Sequence, residues 1–534
     1  MPALPRRCSL YAFLVLGAIS CGDAATAPDG DRLCGTPLSL RRGEVRVVTG
    51  PPNVSCVAIA GSSEATDYLL IAANAMAKQD DLGTYLIRSS VAGASSALAP
   101  FDQAPASWPD ELESRVRVAE RSVAGRLAAT RTAVPKIGDT LSYRVGDASS
   151  ANLCTTYTPV RAVVKAVGTT SVIVQDITAP SGGFSNADFS ALAAEFDALI
   201  YPTDVQWFGK PTDVNGDSRI TVVYTPAINR LTPPGSLGYV GGFFFLSDLS
   251  PRANCAASNE QEILYLLTPD PAGQVNGNRF SVETAREAGR GTAAHELQHL
   301  INQGTRLKKS AELEVAWLNE ALAHFAEEAV GRAARKYSDG QRLTYNDVLT
   351  DLDDFDSFFR QNLIRFRAWM QRPDLASPVS EKASSQLAPR GAGWALVRYA
   401  TDRYGGGDAR GFVRALVAGP EVDIRNLETR TGASFEDILP GFLVASVGET
   451  SVEPRYTFSS WAMRGVMTEV NGGVFPLQVK SFPTDVATQS LSGSGNYFLL
   501  SRAAGSNTST FRMTAPGGSP VEFAGARVYV VRVK

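Results

Sequence analysis

The stretch His295-Glu296-Leu297-Gln298-His299, followed further on by Trp317-Leu318-Asn319-Glu320-Ala321-Leu322-Ala323-His324, decides how this chain is read. On a helix, residues i and i+4 share a face, so both imidazoles of the first stretch can meet one zinc ion, with Glu296 about a third of a turn away beside a metal-bound water. Ala293, Leu297, Leu300, Ile301 and Gly304 line an apolar side of that helix and leave His295, His299 and Asn302 on another. The chain has 3 histidines, all between positions 295 and 324, and this window is therefore where chemistry is to be sought.

Catalytic zinc needs a third protein ligand and an open fourth position for water. The extended form HExxHxxGxxH would require Gly at 302 and His at 305, where the chain carries Asn302 and Thr305, so that class is excluded. The other form draws its ligand from a glutamate on a later helix. Glu320 follows His299 after twenty intervening residues, room for one loop and an antiparallel return that turns Glu320 toward the metal. His324 lies one turn beyond Glu320 on the same face; a place beside the ligands, or in solvent, is favoured over direct ligation.

HELQHLIN followed by WLNEALAHFAEE resembles the gluzincin metallopeptidases, and most closely the hyicolysin family of secreted bacterial zinc peptidases. The resemblance extends through Pro211-Thr212-Asp213-Val214-Asn215-Gly216-Asp217, Gly238-Tyr239-Val240-Gly241-Gly242-Phe243-Phe244, Asn259–Tyr265 and Arg390-Gly391-Ala392-Gly393-Trp394-Ala395 with Arg398, Tyr399, Asp402, Arg403, Tyr404 and Gly405. It covers roughly residues 185 to 450 and not the flanks. It implies a zincin-like, thermolysin-type domain with His295, His299 and Glu320 as zinc ligands and Glu296 as general base. The GxMEN-type motif of the aminopeptidase branch does not precede the zinc helix, which favours an endopeptidase acting on a peptide or protein substrate. Zinc would bring the pKa of its water toward neutrality, and Glu296 would take the proton and pass it to the leaving amine. His324, Tyr399 and Tyr404 are the candidates for stabilising the oxyanion. An inactive zincin-fold surface protein is the alternative, opposed by the intact ligand set and by Glu296.

Weaker motifs have plainer readings. Asp213-Val214-Asn215-Gly216-Asp217 alternates oxygen ligands as a calcium loop does, but Tyr224 stands where a bidentate acid belongs, and Asn215-Gly216 is a hairpin-turn signal. The turn is favoured over Ca2+. Gly241-Gly242-Phe243-Phe244-Phe245 reads equally as a sheet edge that pairs with substrate or as a buried strand whose glycines permit close packing. The acidic run Asp351 to Asp356 reads as a solvated loop or helix start.

Arg6 and Arg7 precede an apolar run from Leu10 to Ile19, too short to span a bilayer but suited to a secretory signal. Ala18-Ile19-Ser20-Cys21 resembles a bacterial lipobox, with Ala18 where Leu is usual. Cys21 would then carry lipid and anchor the protein in the cell envelope, at the outer membrane or cell surface given Gly22; cleavage after Ala25-Thr26-Ala27 and plain secretion is the competing reading. Cys8 leaves with the signal, so Cys34, Cys56, Cys154 and Cys255 remain, an even number that suits an oxidising compartment. Cys34–Cys56 and Cys154–Cys255 is the preferred of three possible pairings.

The composition, 534 residues with 44% hydrophobic and 20% charged, excludes a disordered chain, and the net charge of −3 gives no electrostatic reason to bind nucleic acid. The expected fold is α+β and multidomain: 1–20 lipoprotein signal peptide, 21–100 N-terminal β-sandwich-like domain, 101–135 linker and helix (a charged helical pattern over 109–132), 136–183 small β domain, 184–450 zincin-like metallopeptidase domain and 451–534 C-terminal β-sandwich-like domain, with strands resuming after Pro454. The lipobox yields a first test. Cys21→Ser is expected to move the protein from the membrane fraction to the soluble fraction and to block processing of the signal; unchanged partitioning and processing would leave ordinary secretion in its place.

Overall fold

The computed structural model describes residues 34–90, 112, 115–117, 119, 120, 127–236, 238–381, 386–448, 453–481 and 486–534. The signal segment, Cys8, the lipobox with Cys21 and the first part of the expected 101–135 linker and helix, up to residue 111, lie outside the described residues. In chain order the strands are β1 Val45–Thr49, β2 Val57–Ile59, β3 Thr66–Asn74, β4 Leu82–Ser89, β5 Thr140–Gly146, β6 Tyr157–Val167, β7 Ser171–Asp176, β8 Ile220–Tyr224, β9 Gly242–Phe243, β10 Ile263–Leu266, β11 Val479–Lys480, β12 Val486–Leu491, β13 Ser494–Arg502, β14 Ser509–Thr514 and β15 Ala526–Arg532. The helices that matter here are α1 Asn186–Glu195, α2 Tyr201–Phe208, α3 Val282–Lys308, α4 Ala316–Ala334, α5 Arg360–Met370 and α6 Leu387–Tyr404.

The apolar run near residue 530 buries both of its faces, and this ties the two ends of the sequence together. β15 pairs antiparallel with β1 on one side and β3 on the other, and β3 also pairs with β13, giving a sheet of order β1-β15-β3-β13-β11. Side chains alternate along a strand: Tyr68, Leu70, Ala72, Val528 and Val530 pack against the second sheet, β12-β4-β14-β2, while Leu69, Ile71, Ala73, Tyr529 and Val531 pack into the core shared with the helices. The two sandwich-like domains expected at 21–100 and 451–534 are thus one sandwich with strands from both. The reason is physical: each half alone would expose long unpaired strand edges, and which edge covers which is not written in local periodicity.

The small β domain expected at 136–183 is likewise part of a larger sheet. β5, β6 and β7 form an antiparallel meander that continues through parallel β8 and β10 to antiparallel β9 at the edge, in the order β5-β6-β7-β8-β10-β9. α1 and α2 make the crossover from β7 to β8. Asn215-Gly216 lies in the turn between α2 and β8 and joins a helix to a strand, so it is not a hairpin loop. Its carboxylates serve the turn itself: Asp213 accepts from the N–H and Oγ of Ser218, and Asp217 from the N–H of Arg219.

Three further expectations change. Residues 127–132 are not helical; they hydrogen-bond along Val214, Asn215 and Leu249, whereas the described residues between 112 and 120 are helical. Strands do not resume at Pro454, because helix Met463–Val470 intervenes before β11. The acidic run is a capped helix start, with Asp351 accepting from the N–H of Asp354, but Asp354 is buried against Arg290 rather than solvated. Both expected disulfides, Cys34–Cys56 and Cys154–Cys255, are present.

α3 begins at Ser281, whose Oγ accepts from the N–H of Thr284, and runs through the first histidine pair. α4 returns antiparallel after a short loop: Asn302 donates to Asn319 at 2.8 Å near the loop, and His295 meets Glu327 at 2.7 Å two turns further on. α6 then packs against both α4 and α5, and at Gly391 it lies close against α5: a Cβ there would stand 2.1 Å from the carbonyl carbon of Arg365. Gly391→Ala is therefore expected to destabilise the fold by about 1–3 kcal/mol, the usual cost of overpacking, read as a lowered urea midpoint.

Candidate metal centre

α3 and α4 bring His295, His299 and Glu320 to one point. The Nε2 atoms of His295 and His299 are 3.1 Å apart, and the Glu320 oxygens lie 3.4 Å from His295 Nε2 and 3.5 Å from His299 Nε2. Ligand atoms about 2.0–2.1 Å from a tetrahedral zinc are roughly 3.3 Å from one another, so this triangle has the size of a zinc site. All three side chains are buried, and Glu320 Oε2 makes no hydrogen bond although it lies within ion-pair distance of His295 and Arg390. A buried carboxylate oxygen aimed at two imidazole nitrogens is a donor set suited to a divalent cation, and the residues fit the group.

Glu296 sits beside this triangle without joining it. Its Oε2 accepts from the backbone N–H of Phe244 at 2.8 Å, which fixes the carboxylate against β9. The neighbouring cleft, about 460 Å³, is lined by Gly241, Gly242 and Phe243 on one wall and by His295, Glu296, His324 and Arg390 on others. The glycine–phenylalanine run is a buried strand whose glycine permits close packing, and it also lies at a sheet edge. β9 is the edge of its sheet, and Gly242 lets it approach β10 closely, since a Cβ there would be 2.4 Å from the Tyr265 carbonyl oxygen.

His324 does not reach the triangle through its own nitrogens but shares a partner with it. Glu327 Oε1 accepts from His295 Nδ1 at 2.7 Å and from His324 Nδ1 at 2.9 Å. Donation from Nδ1 leaves the Nε2 of His295 as the ligand atom, the usual service of a carboxylate behind a metal-bound histidine. Tyr399 and Tyr404 line a separate cavity with Arg403, Glu436 and Arg455, and the Tyr399 hydroxyl donates to the Arg455 carbonyl. They are thus withdrawn as oxyanion candidates.

Three side chains at the site were given no role in the sequence reading. Glu327 is three residues after His324 and seven after Glu320, on one helical face, so the periodicity that marked His324 marks it too. Arg117 and Arg390 had no such signal. Arg390 Nη2 lies 3.4 Å from Glu320, and Arg117, from the 112–120 stretch, lies 3.3 Å from Glu320 and 3.4 Å from Glu296.

The electrostatics follow from burying so much charge. Burial opposes the charged form of His295, but the nearby Glu320 and Glu327 carboxylates outweigh it and push its pKa up to about 10. Burial, reinforced by the Arg117 cation, holds His299 well below the ordinary histidine range, and burial brings His324 down to about 3. Burial alone would raise Glu320, yet Arg390 and His299 hold its carboxyl well below the usual range.

Over 138 residues the chain is 30% identical to the neutral metalloprotease ShpI of Staphylococcus hyicus, a match spanning 26% of this chain and 29% of that protein. The chain thus covers less than a third of that relative's length. No family model matches the chain. The described residues thus hold a His-His-Glu cluster that could bind a metal ion, in a chain that resembles a metalloprotease over about a quarter of its length.

The charge state of His295 generates a measurable consequence. With its pKa raised to about 10, the metal-free ring carries a proton at neutral pH; ligation through Nε2 requires the neutral ring, so metal and proton compete. Zinc binding at pH 7 is expected to release about one proton per ion and to tighten as pH rises. Calorimetry in two buffers of different ionisation enthalpy reads this directly, and equal apparent enthalpies would count against it.

Proposed function

We propose that this chain is an exported zinc-dependent endopeptidase of gluzincin type, similar to the hyicolysin family, held at the cell envelope through Cys21. The observation that carries the reading is the convergence of His295, His299 and Glu320 within 3.5 Å of one another, with Glu296 fixed alongside by Phe244. Zinc held by the three ligands would polarise the scissile carbonyl and acidify a water. Glu296 accepts the proton of the attacking water and delivers it to the leaving amine. The Phe244 N–H keeps that carboxylate in one orientation between the two transfers. An extended peptide lies along the β9 edge, where unpaired backbone groups offer main-chain hydrogen bonds.

His324 does not suit the oxyanion. Its ring is neutral at pH 7, and donation from Nδ1 to Glu327 leaves Nε2 as an acceptor. Positive charge at the cleft comes instead from Arg390 and Arg365, of which Arg390 stands beside Glu320 and is the better placed to meet developing negative charge.

Glu296→Gln is the decisive substitution. It preserves shape and the Phe244 hydrogen bond while removing the base, so the variant is expected to keep fold and stoichiometric zinc while cleaving casein at least about a hundredfold more slowly. A variant that cleaves as fast as the parent would remove Glu296 from the mechanism.

A further inference from the structure

Arg117 and Glu120 are not part of the machinery just described, yet they are buried inside it. The Arg117 side chain is 4% exposed and those of its three carboxylate partners are 2% exposed or less. Its Nη2 stands 3.4 Å from Glu296 Oε2, its Nε 3.3 Å from Glu320 Oε1, and its Nη1 3.1 Å from both oxygens of Glu120. The guanidinium thus bridges the general base and a metal ligand, on ground that a water and a scissile carbonyl would need.

Glu120 does two further things. Its Oε2 accepts from Gln303 Nε2 on α3 at 3.0 Å, and its Oε1 accepts from the backbone N–H of Leu246 at 3.2 Å. Phe245 between Phe244 and Leu246 is extended, so the N–H groups of 244 and 246 point to the same side. One is held by Glu296 and the other by Glu120, and a donor continuing the β9 edge is withheld from an extended substrate. Leu112, Val116 and Ala119 recur at helical spacing and are buried in the main core, so the stretch is seated by packing as well as by charge. The Arg117–Glu120 pair is neutral as a unit, which lets it lie beside a divalent cation without net repulsion.

We infer that Arg117 and Glu120 form an autoinhibitory contact: they occupy the base side of the metal centre and the adjoining backbone edge, and hold the full-length chain latent. The inference rests on the peptidase reading for its consequence but on geometry for its existence. Displacing the stretch frees Glu296 and Leu246 together, whereas the opposite side of the cleft, lined by Arg365 and Arg390, is open in either state.

The test uses the zinc-loaded full chain, wild type beside Arg117→Ala, with a quenched fluorescent peptide and with the rate at which a chelator strips the zinc. If the contact masks the site most of the time, opening it raises both turnover and zinc loss by about tenfold or more. A synthetic peptide of residues 109–122 should inhibit Arg117→Ala, and the same peptide with alanine in place of Arg117 should not; this arm separates a plug from a residue that merely supports the fold. Equal turnover, equal stripping rates and no inhibition by the peptide would overturn the proposal. If neither protein cleaves but Arg117→Ala loses zinc faster and binds the peptide, the contact stands and the peptidase reading is what fails.

Discussion

Three glutamates, Glu296, Glu320 and Glu327, are buried around His295, and the rest of the molecule is arranged around that fact. Removing a carboxylate from water costs several kcal/mol even after relaxation, so each must find a cation or a donor. Glu327 takes one nitrogen from each of two histidines, Glu320 takes His295, His299, Arg390 and Arg117, and Glu296 takes Phe244 N–H and Arg117. Those partners come from α3, from α4, from α6, from the residue after β9 and from the 112–120 stretch, elements far apart in sequence. With Glu120 included, four carboxylates face two guanidinium groups, and a divalent cation displacing the His295 proton brings the cluster to neutrality. The donor set is therefore matched to a doubly charged ion by its charge as well as by its spacing.

Charge alone does not hold α4 in the rotation that aims Glu320. Adjacent residues on a helix point about 100° apart, and the consecutive pair Glu327 and Glu328 exploits this. Glu327 faces the histidines, while Glu328 faces the opposite packing surface and accepts from Trp394 Nε1 at 2.9 Å, Trp461 Nε1 at 2.8 Å and Arg332 Nε at 2.7 Å. A helix pinned on both flanks by buried hydrogen bonds cannot roll, so Glu320, two turns before Glu327, keeps its aim. The sequence run Phe325-Ala326-Glu327-Glu328 thus encodes a rotational lock as well as a support for His295.

How much of this was legible follows from what local sequence can encode. The i, i+4 histidines, the loop length to Glu320 and the helical phase of His324 are short-range relations, and the structure brings those side chains together as their spacing implies. The β character of 21–100 and 136–183 was equally visible, because alternation and turn residues are local signals. Which strand lies beside which was not: β15 pairs with β1 across almost the whole sequence, and nothing in either strand names the other. Arg117 was invisible for the same reason, since a charged residue on a helix reads as solvated until a tertiary partner is known. Tyr399 misled because a tyrosine in a stretch that resembles the peptidases has no signature that separates a cleft from a different cavity.

The pairing of strands from both flanks also constrains how the metal centre is supported. β3 and β15 present one face to the second sheet and the other to the helical core, and the connection is polar as well as apolar: the Tyr497 hydroxyl donates to the Leu443 carbonyl at 2.9 Å, and buried Lys480 pairs with Asp374 at 2.7 Å. Closing a loop of several hundred residues would cost roughly 5 kcal/mol of chain entropy if the intervening segment were unstructured. A folded body of sheet and helices between β4 and β11 largely removes that cost by holding its own ends near one another. The sandwich therefore depends on the helices for its assembly, and the helices in turn bury Leu69, Ile71, Tyr497 and Tyr529 against their outer surface. Neither is an appended module: Leu69, Ile71, Tyr497 and Tyr529 belong to the same continuous core as Trp317, Leu318, Ala321 and Leu322 of α4, the helix that carries Glu320.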